Sequence, residues 1–348
     1  MKVYKYTPHI NLFLRSPSLK LTPFYQLNDP FEAKLTSEYI SGCEKLIMDT
    51  LRNEKYVRNL GKNLENHSEY YGVISLSESK CDIKMLSHYA ENHSGGILEF
   101  TLEDIDDGFE NKLSFFNGIN KNYKFGHVKY VGKRNKEVSV SYDYIHTGVF
   151  FDKFICWEEE REVRYLSDFR EVDCLLISKD DIVDAHFRKC KKSSENYFSD
   201  KELDSFYVDG EMYIFAYKDI NSDDDVKYSF DKPKRIRDII DDIFSRHIKN
   251  YEEIGGMIKI VLENKTPDYG LYNLSFSWDR LIESGCNFHP MLKVDPSALT
   301  GVYLGVRFDM ESLDLDTLNK FENLNGNVKK ASISPNDFSH ELVDAIKA

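Results

Sequence analysis

Lys153-Phe-Ile-Cys-Trp-Glu-Glu-Glu-Arg-Glu-Val-Arg-Tyr-Leu166 is the stretch on which the reading of this 348-residue chain turns. Read as a strand from Trp157 to Leu166, its side chains alternate, so Glu158, Glu160, Glu162 and Arg164 share one face while Trp157, Val163 and Tyr165 share the other. The apolar set is the expected core face, although Glu159 and Arg161 interrupt it. Carboxylates at alternate positions emerge roughly 7 Å apart on the pleat, close enough to raise the pKa of one of them unless a cation compensates. Arg164 and Lys153 are the cations at hand. The row is therefore either a poised carboxylate pair or the solvated outer face of an antiparallel sheet, and the alternation alone does not choose between them.

Working outward, Lys2 to Thr7 also alternates, and Val-Ile-Ser-Leu-Ser at 73–77, Gly96–Thr101, His127–Val131 and Val138–Tyr142 read as further strands. Helical spacing runs from about Ser37 to Leu64 and through Ile83, Leu86, Tyr89 and Ala90. Ser79 or Asp82 would cap the second of these, and Gly95-Gly96 would stop it. Helix-like segments are also expected at Tyr144–Phe154 and at Asp337–Lys347. Between about 167 and 285 the chain turns polar and charge-dense, as in Asn221-Ser-Asp-Asp-Asp225 and Lys232-Pro-Lys-Arg235. The expectation is an α+β fold with a mixed, mainly antiparallel, split sheet and flanking helices. Residues 1–166 and 286–348 would form its core, and 167–285 would be an insertion or accessory subdomain that binds a protein partner.

Composition bounds the function. The 46 basic and 59 acidic residues leave a net charge of −13, which opposes delocalised binding to nucleic acid or to an anionic membrane. No apolar run reaches the roughly 20 residues a membrane helix needs, and the N-terminus lacks the apolar core of a signal peptide. A cytoplasmic location is the expectation. The six cysteines are far apart, with no C-x-x-C pair, and read as free thiols. There is no phosphate loop, Rossmann fingerprint, G-x-S-x-G elbow or H-E-x-x-H.

Three further constellations carry chemistry. The turn Leu27-Asn-Asp-Pro-Phe-Glu32 offers Asn28 and Asp29 as backbone caps and Leu27 and Phe31 as anchors into the core, with Glu32 placed to reach elsewhere. Ser75 and Ser77 put two hydroxyls on one face of a strand end, where they either satisfy nearby backbone or orient a ligand ribose or a carboxylate. His88 and His93 are five residues apart, which is not the spacing of a helical metal pair, so each is read as a last-turn cap or a surface side chain.

Together the order Tyr-Lys-Tyr at 4–6, LNDPFE, GVISLSES, MLSHYAENHSGGILEF, KFICWEEEREVR and ALTGVYLGVRF resembles the bacterial family catalogued as domain of unknown function two thousand nine hundred seventy-one, over about 1–166 and 290–340. Leu86 stands where that pattern has a tryptophan, and the 167–285 stretch is longer than the family's connection. A second similarity is to ADP-ribosyltransferases of the arginine-serine-glutamate type. A first-strand basic residue (Lys5), a Ser-x-Ser strand end (Ser75, Ser77) and a Glu-x-Glu strand (Glu160, Glu162) occur here in that order, with lysine in place of arginine.

This second resemblance implies NAD as co-substrate, in a toxin or phage-defence setting. Glu162 would hold the ribose, Glu160 would orient or deprotonate the acceptor, and Arg164 would pair with them. Ser75 and Ser77 would position Glu162 and the cofactor, with Tyr4, Tyr6 or Tyr89 on the nicotinamide and Asn28, Asp29, Glu32, His88 and Trp157 in support. Two other classes stay open: a non-catalytic sensor or interaction module, in which the same charges are structural ion pairs, and a metal-dependent nuclease using Glu32, Glu160 and Glu162.

Overall fold

Tyr71–Ser77 carries the strand formers Tyr71, Val73 and Ile74, Glu162–Asp168 carries Val163 and Tyr165, and the two strands lie antiparallel with Ser75 opposite Arg164 and Ser77 opposite Glu162. The computed structural model describes residues 1–52, 57, 71–102, 123–134, 148–197, 201–219, 228–230, 232–244, 248–254, 256–262, 287–324, 326–337 and 339–345. The chain divides into two compact units, Met1–Glu171 with Leu292–Ala348, and Val172–Met291.

The first unit is built on one large sheet. Its main strands are β1 (Lys2–Thr7), β2 (Tyr71–Ser77), β3 (Gly96–Thr101), β4 (Tyr123–His127), β5 (Glu162–Asp168), β6 (Leu299–Leu304), β7 (Val328–Ile333) and β8 (His340–Asp344). They lie in the order β8-β7-β6-β3-β1-β2-β5-β4, antiparallel throughout except for β6 and β7. The fold is thus α+β with a mixed, mostly antiparallel sheet.

Helix α1 (Ile10–Arg15) packs one sheet face, where Phe13 meets Phe100 edge-on at 5.6 Å. The helix α2 (Ser37–Leu51) begins at the Thr36 cap and buries Tyr39, Cys43 and Ile47. On the face opposite α1, helix α3 (Ile83–Tyr89) is capped by Asp82 and lays Leu86 and Ala90 against Tyr4, Tyr6, Ile97 and Tyr303.

The second unit holds an antiparallel sheet formed by Cys174–Ser178, Met257–Leu262, Ile248–Ile254 and the 288–291 part of the strand Phe288–Lys293. A hairpin of Lys201–Asp209 and Met212–Asp219, with two short added strands and the helices Lys179–Tyr197 and Ile236–Phe244, completes it.

Several expected elements differ. The first helix is described only to Leu51, and its expected continuation to Leu64 and the strand at 138–142 lie outside the described residues. His127–Val131 is not one strand: Tyr123–His127 pairs with β5, whereas Lys129–Val131 pairs in parallel with Asp152–Phe154. The described part of the expected helix at 144–154 is a 3₁₀ turn, Gly148–Phe151, followed by that short strand.

At the C-terminus a strand, β8, replaces the expected helix. Leu342 packs on the Tyr4–Tyr303 cluster while Glu341 and Val343 stay exposed, a period of two enforced by pairing with β7. Helix α3 is ended not by glycine but by Glu91, Asn92 and His93, all at positive φ.

Gly95 follows for a different reason. A Cβ there would lie 2.4 Å from the Thr7 carbonyl oxygen and 2.6 Å from Pro8 Cα, so the close approach of the loop to β1 excludes any side chain. Gly95→Ala is expected to lower unfolding stability by about 1–3 kcal/mol, the usual scale of overpacking against rigid atoms. A urea-denaturation midpoint unchanged from the wild-type chain would contradict this.

Candidate functional site

Strand β1 is zipped to β3 along its whole length, from Lys2–Thr101 to Thr7–Gly96, but meets β2 at one position, Tyr4 opposite Ser77. Beyond that pair the Ser75 carbonyl has no ladder partner on β1. Lys5 supplies one instead, its ammonium donating to Ser75 O at 2.9 Å. Where the strands part, a cavity of about 200 Å³ opens, bounded on the β1 side by Tyr4, Lys5 and Tyr6 and on the β2 side by Ser75 and Ser77. Met85 and Tyr89 of α3 form another wall, and the Leu27–Glu32 turn closes the remaining side.

The floor is a buried ion-pair network. Arg164, 1% exposed, donates from Nε to Glu162 Oε1 at 2.7 Å, from Nη1 to the Phe150 carbonyl at 2.6 Å, and from Nη2 to both Glu32 and Glu162. Lys153 binds Glu160 Oε2 at 2.5 Å and Glu162 Oε2 at 2.9 Å, and lies 3.5 Å from Glu32 Oε1. Two cations therefore pair with three carboxylates away from water, one negative charge remaining in excess when all three are ionised. Burial pushes Glu162 upward, but Arg164 and Lys153 outweigh it and hold the carboxyl at about 2. Glu32 goes the other way, because burial exceeds the pull of the same two cations. Burial also drives the Lys5 ammonium down to about 8, against the opposing attraction of Glu162.

Further hydrogen bonds hold these carboxylates in place. The Ser75 hydroxyl helps to lower the Glu162 carboxyl, and the Glu162 backbone N–H donates to the Tyr130 hydroxyl oxygen at 2.7 Å. Ser77 Oγ donates to the Glu160 carbonyl at 2.6 Å and accepts from the Ser79 N–H, pinning the chain that enters β5. Tyr89 O–H donates to Glu160 Oε1 at 2.6 Å, and its phenol is raised first by burial and then by that carboxylate.

The expected Trp157–Leu166 strand is corrected here. Ile155–Glu160 is a 3₁₀ segment, Arg161 turns it at φ 45°, and the strand starts only at Glu162. Consequently Glu158 and Glu159 are exposed, and Trp157 does not back the sheet: it lines the cavity, its ring centroid 5.2 Å from Lys153 Nζ. Glu160 joins Glu162 through Lys153 rather than through strand alternation.

Of the residues singled out in the sequence, the cavity gathers Glu160, Glu162 and Arg164, the three residues of Tyr4–Tyr6, Ser75, Ser77 and Tyr89, together with Asn28, Asp29, Glu32 and Trp157. His88 is not among them; it is exposed in the last turn of α3. Phe31 does not anchor its loop in the core but stands 65% exposed, while Asp29 caps the Phe31 N–H at 2.9 Å. Lys153, on the sequence alone one of two possible compensating cations, is the central member of the network. Its signal was the lone lysine a few residues before a carboxylate row that needed a buried counter-charge.

Among the described residues no group of three or more His, Cys, Asp or Glu is arranged to hold a metal ion, and Cys43, Cys81, Cys156, Cys174 and Cys190 are free thiols. No helix among them is long and apolar enough to cross a membrane. The fold and site thus define an α+β protein with a cavity at a parted sheet, floored by a buried Arg-Lys-Glu network. No protein family, curated protein or solved structure matches the chain.

Two outcomes follow from the network. Arg164→Met leaves Glu32 and Glu162 buried with one cation removed, and is expected to cost about 3–5 kcal/mol in chemical denaturation; a cost under about 1 kcal/mol would show that the pairing is not structural. Because Glu162 titrates lower in the folded chain than the unfolded value of 4.5, its contribution is present above pH 4.5 and is lost as pH falls toward 2. That contribution is about 3 kcal/mol, and Glu32, shifted upward, opposes it. Denaturation curves between pH 2 and 5 should be flatter for Glu162→Gln than for wild type.

Proposed function

We propose that this chain cleaves the nicotinamide–ribose bond of NAD, either transferring ADP-ribose or releasing it to water. The observation that carries this reading is the convergence on one cavity, where β1 and β2 part, of Tyr4–Tyr6, Ser75, Ser77 and a Glu162 that is ionised at neutral pH. The resemblance to ADP-ribosyltransferases supplies the substrate, and the site chemistry is compatible with it.

As the bond from C1′ to the pyridinium nitrogen breaks, its electron pair leaves with nicotinamide and positive charge builds on the ribose. A carboxylate held near 2 cannot be neutralised by that change and stabilises it electrostatically. Tyr4, Tyr6, Tyr89 and Trp157 provide flat faces for a cationic ring. Water or an acceptor then bonds to C1′, and its proton passes to Glu160, which Tyr89 and Lys153 orient. Lys5 is the weak element: its ammonium is spent on Ser75 O and titrates near 8, so it is a poorer phosphate clamp than an arginine.

One observation favours a second reading. Glu32, Glu160 and Glu162 are all ion-paired already, as a structural strut beneath a sensing pocket would be. The same pairing weighs against a nuclease built on those three carboxylates, because the Lys153 ammonium sits where they meet.

Nicotinamide release from NAD, followed by chromatography, separates the readings. Ser75→Ala and Tyr89→Phe keep the ion network and are expected to lower kcat about tenfold to a hundredfold, and Glu162→Gln about 10²–10³-fold, with folding checked by circular dichroism. NAD that binds without turnover in the wild-type chain would establish the sensing pocket instead, and a chain that neither binds nor cleaves NAD would remove this proposal.

A further inference from the structure

Behind the ion-pair wall lies a second cavity, of about 300 Å³, within the same unit. It shares Asp29, Glu32 and Lys153 with the first, so the network is the partition between two chambers. The rest of its lining has a different chemistry. Tyr39, Val131 and Val149 make an apolar interior, and the aromatic rings of Phe31 and Phe154 stand at its edge, 65% and 48% exposed. Large hydrophobes that exposed, flanking an apolar cavity, indicate a surface that gains by being covered.

Three cations border the same cavity: Lys34, Lys133 and Arg134, all exposed. Among the described residues Lys34 and Lys133 have no carboxylate partner. Arg134 donates to the Phe31 carbonyl at 3.2 Å, and its guanidinium lies 5.4 Å from the Phe31 ring centroid, so aromatic and cation are held together as one lip. The Asp29 cap fixes that lip from below through the Phe31 N–H. The acidic members of the lining are Asp29, held in this cap, Glu32, paired with Arg164 and Lys153, and the half-buried Asp152 beside Lys153, so the anionic end of a ligand belongs at the exposed cations of the mouth rather than in the interior.

An apolar chamber with flat aromatic edges and a cluster of cations at the mouth selects a ligand that is flat and apolar at one end and anionic at the other. A purely apolar molecule would leave the cations unused. A long polyanion is opposed by the net charge of −13 and by the size of the chamber. We propose that this second cavity binds a nucleoside monophosphate, its base against Phe31 and Phe154 and its phosphate on Lys133, Arg134 and Lys34. The site is distinct from the NAD-cleaving reading and does not depend on it. Because Glu32 and Lys153 face both chambers, occupancy of the second bears on the charges that floor the first.

Calorimetric titration of the full chain with AMP, adenosine and inorganic phosphate tests the assignment. AMP should bind, with adenosine and phosphate each at least tenfold weaker. The double variant Lys133→Gln/Arg134→Gln should weaken AMP at least tenfold and leave adenosine unchanged, whereas Phe31→Ala should weaken both. These side chains are exposed, so the variants should melt as the wild type does. Tyr89→Phe and Ser75→Ala, on the first cavity, should leave AMP affinity intact, so failure of NAD cleavage and failure of this site read out separately. No AMP binding at millimolar concentration, equal affinity in the lip variants, or loss of AMP binding in Tyr89→Phe would each overturn the proposal.

Discussion

A guanidinium buried without water must have its charge and its N–H groups satisfied, and Arg164 meets that demand with Glu162, Glu32 and the Phe150 carbonyl. These partners come from three separate parts of the chain: β5 itself, the Leu27–Glu32 turn and the 3₁₀ turn before Lys153. Pulling them to one point fixes where the turn sits over the sheet and where Lys153 must enter. Once Lys153 is there, Glu160 is drawn in as its third carboxylate, although it lies off the strand. Desolvation, not strand periodicity, is what assembles the site.

That distinction explains what could be read from sequence. The β1, β2 and β3 strands, the α3 helix with its Asp82 cap, and the α+β class follow from local periods of two and 3.6 that survive in the fold. The membership of the cavity was also largely legible, because charged and hydroxyl side chains in apolar strands have few reasons to be there. The stretch from Ile155 to Glu160 misled because a 3₁₀ turn and a strand both tolerate Trp-Glu-Glu-Glu, and only the left-handed Arg161 marks the boundary. Phe31 misled for the opposite reason: hydrophobicity signals burial, whereas here it lies beside Arg134 at the mouth of a cavity. The C-terminal segment is too short for its pattern to outvote pairing with β7.

Two buried acid-base states coexist within a few residues. Glu162 is kept ionised by flanking cations, while Lys5, across the parted strands, is kept near 8 by the absence of enough of them. Both arise from one enclosure, and they differ only in how many opposite charges each can reach. The first is suited to facing a developing cation, and the second is an ammonium that gives up its proton more readily than an exposed lysine would.

The single Tyr4–Ser77 bridge also has a mechanical meaning. A sheet stitched along its length bends as a plate, but one joined at a single residue pair behaves as two panels on a pivot. The panel of β2, β5 and β4 carries Ser75, Glu162 and Arg164, and the panel of β1, β3, β6 and β7 carries Tyr4 and Tyr6. Lys5, reaching across to Ser75 O, is one tie between the panels, and the Tyr6 hydroxyl, which donates to Ser79 O and accepts from the Asp82 N–H, is a second. The width of the chamber is therefore governed by the weakest joint in the sheet rather than by the rigidity of its strands.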